Sequence, residues 1–247
     1  MTRVLFVAQD KGGVGKSTAV RALAEAVPGI GLIELDTDAR LFEFDADKDK
    51  KEARQVRFFP MRAEREAIDR TRGRAAREEF DAIIQALAET TTPTVVDVGA
   101  NTAVSFFTVL GQVAPMLKEA GVIPAVLIVL TAEPPAIAGT PRLLTLAEPW
   151  AEERFVLENR MRGAVDAKRL AAISRGARVT VFEEQAMEEA AVELVTARGL
   201  LGIPNLKLKE LTGTHGIARG ARIASDLARF RLEAMNAIKP CAEWVVG

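Results

Sequence analysis

The chain alternates short, uninterrupted apolar runs with longer segments of helical periodicity. Strands are predicted where an apolar run is short and bounded by loop residues, and such runs cover residues 4–8, 31–36, 94–97, 125–131 and 154–159. A weaker sixth strand falls near either residues 179–182 or residues 202–206. Helices are predicted over residues 17–27, which end at a Pro-Gly pair, and over about residues 102–120.

This alternation of buried strands and helices predicts an α/β fold with a doubly wound, mainly parallel sheet flanked by helices on both faces. In such folds ligands bind at the carboxyl ends of the strands. The 247 residues contain no internal repeat and no low-complexity linker. We therefore expect a single domain over residues 1–247.

Composition removes several kinds of site from consideration. With Cys241 and His215 as the only cysteine and histidine, an internal disulfide framework is excluded and a cysteine- or histidine-based metal site is disfavoured. The 33 basic and 34 acidic residues give a net charge of −1, which argues against a uniformly basic nucleic-acid binder. The longest apolar run, around residues 122–130, is shorter than the ~20 residues of a membrane span, and the N-terminus lacks a signal-peptide layout. We expect a reduced, cytoplasmic protein without stable membrane insertion.

A glycine-rich sequence, Lys11-Gly-Gly-Val-Gly-Lys-Ser-Thr18, follows the first predicted strand and opens the first predicted helix. This is the context of a phosphate-binding P-loop, in which backbone N–H groups and the helix N-terminus face phosphate oxygens. Lys16 would supply charge to the β- and γ-phosphates, and the Ser17 hydroxyl would coordinate Mg²⁺. The generic pattern has glycine where this chain has Asp10. The nucleotide-binding residues predicted from the loop are Gly12, Gly13, Val14, Gly15, Lys16, Ser17 and Thr18.

With Lys11 included, this sequence resembles the deviant Walker A box of the ParA/MinD family of P-loop ATPases, in its short, partition-type form. The resemblance covers about residues 1–160. It implies ATP and Mg²⁺ as cofactors and a homodimer that forms on binding ATP, with Lys11 reaching across to the partner's nucleotide. A lysine directed at a γ-phosphate would stabilise the charge that develops during phosphoryl transfer.

Two further segments match the family's switch regions. By the resemblance, Asp36 at the end of the second strand corresponds to the aspartate that orients the attacking water, and Asp97 corresponds to the Walker B acid. The Gly99 N–H is expected to approach the γ-phosphate. The implied catalytic residues are Lys11, Lys16 and Asp36, and the implied metal ligands are Ser17, Asp36 and Asp97.

Several residues in these segments leave alternatives open. Glu34 replaces the first acid of switch I, and Asp38-Ala39-Arg40 replaces the Pro-Gln-Gly of the partition branch. Val98-Gly99 stands where the family usually has a proline. Asn159 resembles the family's adenine-reading asparagine, because one amide can both donate to and accept from the adenine edge. An ordinary asparagine at a strand end is the rival interpretation.

Two basic stretches are the candidate output surface. Residues 54–77 hold eight arginines against three acids, and residues 198–231 hold seven basic residues against two acids. Arginine-rich faces bind the DNA backbone without reading its sequence, which agrees with the nucleoid binding that the resemblance implies. Solvated helix faces are an equal alternative. The charge run at residues 45–52 is interpreted as a solvated turn, and apolar positions 223, 227, 230, 235 and 238 as core packing.

The predicted function is an ATPase of plasmid or chromosome partition or of cargo positioning, which binds DNA non-specifically and is stimulated by an adaptor protein. The alternatives are an accessory ATPase of conjugative transfer or plasmid stability, and a metabolic P-loop ligase or synthetase that does not bind DNA. Other branches fit less well. Cys241 alone cannot supply the cluster of nitrogenase-type iron proteins, and Pro240 and Glu243 make the last residues a poor membrane helix. Because the P-loop starts at residue 11, we expect the short form of the family, without a preceding helix-turn-helix domain.

Overall fold

The computed structural model describes residues 1–41, 44, 56–61 and 74–247, apart from the side chains of residues 74–78 and 198. In this part of the chain the strands are β1 (Thr2–Ala8), β2 (Gly31–Asp36), β3 (Val56–Pro60), β4 (Thr94–Val98), β5 (Val122–Leu130), β6 (Arg154–Asn159) and β7 (Arg178–Phe182). The helices are α1 (Lys16–Ala26), α2 (Arg74–Ala88), α3 (Ala103–Glu119), α4 (Pro134–Ala147), α5 (Ala167–Ser174), α6 (Glu189–Gly202), α7 (Leu208–His215) and α8 (Ile217–Val246), with a 3-10 turn at Ile203–Asn205.

These seven strands form one sheet in the order β3-β2-β4-β1-β5-β6-β7, and every neighbouring pair is parallel. The doubly wound parallel sheet predicted from the sequence is therefore confirmed. β1 lies in the middle of the sheet between β4 and β5, and its register places Val7 beside both Asp97 and Leu127. The loop that leaves β1 consequently opens at the centre of the sheet's carboxyl edge, where ligands of such folds bind.

Helices cover both faces of the sheet. α1, α6 and α8 pack together on one face, and α2, α3, α4 and α5 pack in sequence on the other. Aromatic rings fill the second face, where Trp150 stands edge-on to Phe6 at 5.6 Å and to Phe107 at 5.1 Å between ring centroids. Such edge-to-face pairs stabilise a core beyond the area they bury.

The long helix α8 packs its apolar stripe inward. Ile223, Leu227, Phe230 and Ile238 are buried, and Met235 packs against the same core. The interpretation of this stripe as core packing is thus confirmed. In the part of the chain that the structure describes, none of the helices combines the length and the apolar composition needed to cross a membrane.

The structure departs from the sequence-based prediction at three places. β3 was not predicted; it is an edge strand on which Val56 is buried while Arg57 and Phe58 are exposed. The weak sixth strand is β7 (Arg178–Phe182), whereas residues 202–206 end α6 and form the 3-10 turn. The predicted solvated turn at 45–52 and most of the basic stretch 54–77 lie outside the described residues.

Candidate phosphate-binding site

The loop between β1 and α1 curls tightly at the centre of the sheet. Gly13 has φ 75° and Gly15 has φ 99°, backbone conformations that side chains rarely adopt. Gly15 is the residue before α1, and it provides no side-chain cap for the first turn of the helix. The N–H groups at this helix end are therefore available to an anion.

An open cavity of about 360 Å³ lies over this loop. Its lining includes six of the predicted loop residues together with side chains from the neighbouring segments. The lining residues are Gly12, Gly13, Gly15, Lys16, Ser17, Thr18, Arg21, Asp36, Arg40 and Ala100. Val14, the remaining predicted loop residue, is buried beneath the loop.

Lys16 and Ser17 line the cavity, and Ser17 contacts the buried Asp97. The Lys16 Nζ donates to the Gln9 carbonyl at 3.1 Å, and the Ser17 Oγ donates to Asp97 Oδ2 at 2.9 Å. Burial lowers the pKa of Lys16, against the opposing effect of the Asp97 and Asp36 charges. Burial likewise raises the pKa of Asp97, which the Ser17 hydrogen bond and the Lys16 charge oppose. An anion bound beside Lys16 would stabilise its charged form.

The oxygen atoms at this place suit Mg²⁺. Mg²⁺ takes oxygen ligands and usually keeps several waters, so a protein supplies only one or two carboxylates and the rest comes from water and phosphate. The Ser17 hydroxyl and the Asp97 carboxylate are such ligands and are already adjacent. Within the described residues no three His, Cys, Asp or Glu side chains cluster in a way that could hold a metal ion by themselves.

Gln9 holds the loop from behind and was missed by the sequence analysis. Its buried Nε2 lies within hydrogen-bond distance of the Val129 carbonyl (3.2 Å), the Ala136 carbonyl (3.3 Å) and the Thr140 hydroxyl (3.2 Å). Its Oε1 accepts the Asp10 N–H at 3.0 Å. The start of the loop is therefore tied to β5 and α4. The one signal in the sequence was that Gln9, a polar residue, directly follows the apolar run of residues 4–8.

Asn159 supports the loop from the side. Its Nδ2 donates to the Val14 carbonyl at 2.9 Å, and its Oδ1 accepts the Met161 N–H at 3.1 Å. Both ends of the amide are engaged by backbone groups in this structure. The structure therefore shows Asn159 supporting the loop, and its contact with adenine stays a prediction.

The close packing of Gly15 against Asn159 predicts the effect of Gly15→Ala. A methyl group at Gly15 would lie 2.6 Å from Asn159 Nδ2, in addition to the strain of φ 99°. We expect at least a tenfold loss of affinity for fluorescently labelled ATP, because roughly 1–3 kcal/mol of strain falls on the loop itself. The matched control is Gly176→Ala, which has φ 76° and no atom within 4 Å. It should lower the melting temperature and leave nucleotide affinity unchanged; equal affinities of Gly15→Ala and the wild type would contradict the prediction.

Glu34 and Asp36 organise the segment after β2. The Asp36 Oδ1 accepts the Thr37 N–H at 2.7 Å, and its Oδ2 pairs with the Arg40 Nε at 3.3 Å. Glu34 is only 1% exposed, and its carboxylate accepts the N–H groups of Arg40 (2.7 Å) and Leu41 (3.3 Å). Burial raises the pKa of Glu34 to about 7, although both hydrogen bonds favour the ionised form. Glu34, which stands where the ParA/MinD family has the first acid of switch I, thus fixes the backbone at Arg40 and Leu41.

Gly99 is the point where the two switch segments touch. A Cβ there would lie 2.5 Å from the Leu35 carbonyl oxygen and 3.0 Å from Asp36 Cγ, so only glycine fits. The Gly99 N–H donates to the Leu35 carbonyl. Its expected approach to a γ-phosphate therefore requires this hydrogen bond to be given up first. Nearby, the Asn101 N–H donates to the Asp10 carbonyl at 3.2 Å, which links this segment to the loop.

Lys11 differs from Lys16 in its surroundings. It lies half-buried at the start of the loop and, within the described residues, has neither a hydrogen bond nor an ion pair. A lysine in this position is available to a group outside its own chain. Its predicted reach to a partner's nucleotide stays a prediction.

The charge of the basic stretch 198–231 is partly offset by two acids that lie elsewhere in the sequence, Glu188 and Glu25. Glu188, directly before α6, pairs with Arg222 at 2.6 Å and with Arg219 at 3.4 Å. The four arginines of the stretch whose side chains are described all have carboxylate partners. Arg219 and Arg222 pair with Glu188, Arg229 pairs with Asp226, and Arg231 pairs with Glu25 of α1. Among the described side chains, no carboxylate pairs with Lys207 or Lys209. The stretch is therefore not a bare arginine face.

Together these observations decide the fold type. A glycine loop joins the central strand of a parallel sheet to a helix that opens with Lys16 and Ser17, and the neighbouring strand presents Asp97 to the Ser17 hydroxyl. This chain has the fold of a P-loop NTPase. The Lys11-containing box on this P-loop NTPase is ParA/MinD-like.

Comparisons with known proteins concern this fold only. No protein-family model matches the chain, and no curated protein matches it. The chain is similar to MinD, a cell division protein of Aquifex aeolicus, with 16% identity over 92% of this chain and 96% of that one and a TM-score of 0.48. It is also similar to the ATP complex of McdA from Cyanothece, with 13% identity, 92% and 96% coverage and a TM-score of 0.49. A third similar structure is a Borrelia burgdorferi protein assigned to plasmid partition and bound to AMPPNP. It shares 14% identity over 93% of this chain and 99% of that one, with a TM-score of 0.48.

Proposed function

We propose that the protein is a Mg²⁺-dependent ATPase of the ParA/MinD type that dimerises on binding ATP. The observation that carries the proposal is that Lys16, Ser17 and Asp36 line one cavity at the end of β1, with the buried Asp97 hydrogen-bonded to Ser17. These residues come from three adjacent strands and their loops. They place a cation, oxygen ligands for a metal and a carboxylate within one site.

Each residue has a distinct part in the proposed reaction. The loop N–H groups and the start of α1 bind the β- and γ-phosphates, and Lys16 neutralises their charge. Asp36 orients the attacking water; a bond from this water to the γ-phosphorus forms as the bond to the bridging oxygen breaks, and ADP and inorganic phosphate leave. Ser17 and Asp97 would hold Mg²⁺, which supplies charge neutralisation when bound. Lys11 of the partner subunit completes the charge around the γ-phosphate.

The proposed activity is tested by phosphate release and by sizing. Purified protein should release phosphate from ATP only with Mg²⁺, at a slow basal rate, and it should shift from monomer to dimer when ATP is added. ADP should not produce the shift, because the cross-subunit contact of Lys11 is made to a γ-phosphate. A protein that neither binds nor hydrolyses ATP under these conditions would overturn the proposal.

We further propose partition or cargo positioning as the role, with DNA as the non-specific support and an adaptor protein as the stimulus. The ion-paired arginines of α8 reduce the charge available for DNA, which leaves Lys207 and Lys209 as the described unpaired cations of the stretch. The alternatives remain an accessory ATPase of conjugative transfer or plasmid stability and a metabolic ligase or synthetase. DNA binding separates the metabolic alternative from the others.

The charge distribution predicts weak, ATP-dependent DNA binding with a shallow salt dependence. If about two phosphates are neutralised per protomer, the logarithm of affinity should fall with a slope of about −2 against the logarithm of salt, or about −4 for a dimer. Gel shifts with arbitrary DNA at several salt concentrations measure this slope. The double variant Lys207→Ala/Lys209→Ala should lose binding, while Lys118→Ala/Lys168→Ala, which removes equal charge from exposed positions elsewhere, should retain it. Absence of DNA binding in ATP at low salt would favour the metabolic alternative.

A further inference from the structure

Arg40 occupies an unusual position for a residue of the switch segment. Its side chain lines the cavity over the phosphate-binding loop together with Lys16 and Thr18. Burial lowers the pKa of Lys16, and the charge of Arg40 contributes to this lowering, which places the guanidinium within electrostatic reach of the lysine. The cavity is therefore lined by three cationic residues, Lys16, Arg21 and Arg40.

The backbone of Arg40 is fixed at both ends, whereas its side chain is not. Its N–H donates to the buried carboxylate of Glu34 at 2.7 Å, and its carbonyl accepts from the Arg21 Nη2 at 2.8 Å. The side chain is 54% exposed. Its ion pair with Asp36 consists of a single contact, from Nε to Oδ2 at 3.3 Å. A guanidinium on a fixed backbone can change partner by rotation of its side chain alone.

The ion pair with Asp36 is weak and can be exchanged for a phosphate. Exposed ion pairs of this kind contribute little stability. A γ-phosphate is a stronger partner because it carries more charge and accepts two parallel N–H bonds from one guanidinium. Since Arg40 pairs with Asp36 in this structure, movement of the guanidinium to a bound triphosphate would release the Asp36 carboxylate.

We propose that Arg40 recognises the terminal phosphate of the nucleotide and, by leaving Asp36 to do so, makes this carboxylate available only when a triphosphate is bound. The inference rests on the proposed function and adds a residue of the chain's own that distinguishes ATP from ADP. Arg40 is then a substrate-contacting residue, and Glu34 is a positioning residue that fixes its backbone.

The test compares the affinities of fluorescently labelled ATP and ADP at fixed Mg²⁺ in the wild type and in Arg40→Ala. ATP affinity should fall about tenfold or more, as expected for the loss of a charge-assisted contact, while ADP affinity should change less than about twofold. The matched control is Arg142→Ala, an exposed arginine of α4, which should leave both affinities unchanged. Equal losses for ATP and ADP in Arg40→Ala, or no loss for either, would overturn the inference.

A double-mutant cycle tests the exchange itself. Asp36→Ala releases Arg40 from its partner, so it should raise ATP affinity in the wild-type background and raise it much less in the Arg40→Ala background. An equal gain in both backgrounds would show that Arg40 does not couple Asp36 to the phosphate. Lys16→Ala separates this inference from the proposed function: if the wild type binds ATP and Lys16→Ala does not, the ATP site stands whatever Arg40 does. A wild type without ATP affinity would overturn both.

Discussion

Replacing Lys16 with alanine is expected to remove measurable nucleotide binding. Lys16 is 8% exposed and lines the cavity, with the Asp97 and Asp36 charges nearby. Without it, two carboxylates would face the phosphates with no buried cation between them. Truncating one member of a buried charge pair costs about 2–5 kcal/mol, which corresponds to a loss of affinity of roughly 30- to 5,000-fold. Titration with labelled ATP, followed by fluorescence anisotropy, measures this loss.

The same substitution should leave the fold intact, and this distinguishes a binding effect from unfolding. Burial lowers the pKa of Lys16, so the charged form is less stable in the folded chain than in water. Relief of this burial cost opposes the cost of leaving the buried Asp97 without its cation, so the folded state should be retained, which thermal unfolding can check. Lys118→Ala, an exposed lysine at the end of α3, is the matched control for loss of one positive charge. Unchanged ATP affinity in a folded Lys16→Ala protein would refute the assignment of the loop.

The central strands could be predicted because helices cover both faces of the sheet. β1, β4 and β5 carry apolar side chains without alternation, and their burial is nearly complete along their length. β3 has a different pattern because it lies at the edge, where Arg57 and Phe58 are exposed. Within an arginine-rich stretch, an edge strand of five residues has no continuous apolar run to detect.

The loop could be predicted from its own residues, whereas its supports could not. Gly13 and Gly15 meet local backbone requirements that a sequence motif records directly. Gln9 and Asn159 act over separations of 120 and 145 residues, and their partners are mostly backbone carbonyls that carry no sequence signal. The roles of Glu34 and Arg40 likewise depend on how the segment after β2 folds back, which the strand pattern does not encode.

Counting charges along the chain overstated the basic surface. Residues 198–231 are rich in arginine by sequence, but Arg231 pairs with Glu25, 206 residues away, and Glu188 pairs with Arg219 and Arg222 from outside the stretch. The sum of charges in a segment therefore differs from the charge of a surface. This is the physical reason to test DNA binding with the two lysines rather than with the arginines.

Asp36→Ala is expected to slow the chemical step by roughly 100-fold or more while retaining ATP, as for loss of a group that positions or deprotonates the attacking water. Asp36 is held in a defined orientation by the Thr37 N–H at the carboxyl end of β2, so its removal takes away a fixed acceptor at the cavity. The loop N–H groups and Lys16 are untouched, and one negative charge fewer faces the phosphates. ATP affinity should therefore be higher, and the ATP-bound dimer should accumulate.

Single-turnover phosphate release and sizing in ATP measure the two parts of this prediction separately. Asp38→Ala is the matched control, because Asp38 is an exposed acid two residues away whose Oδ2 accepts only the Thr37 hydroxyl in the described hydrogen bonds, at 3.2 Å. It should hydrolyse ATP at close to the wild-type rate. If Asp36→Ala released phosphate as fast as Asp38→Ala, Asp36 would not be the residue that orients the water. If Asp36→Ala bound ATP but stayed monomeric, slow hydrolysis would not cause an ATP-bound dimer to accumulate. The nucleotide-sandwich mechanism would then have to be abandoned, although the ATP site itself would remain.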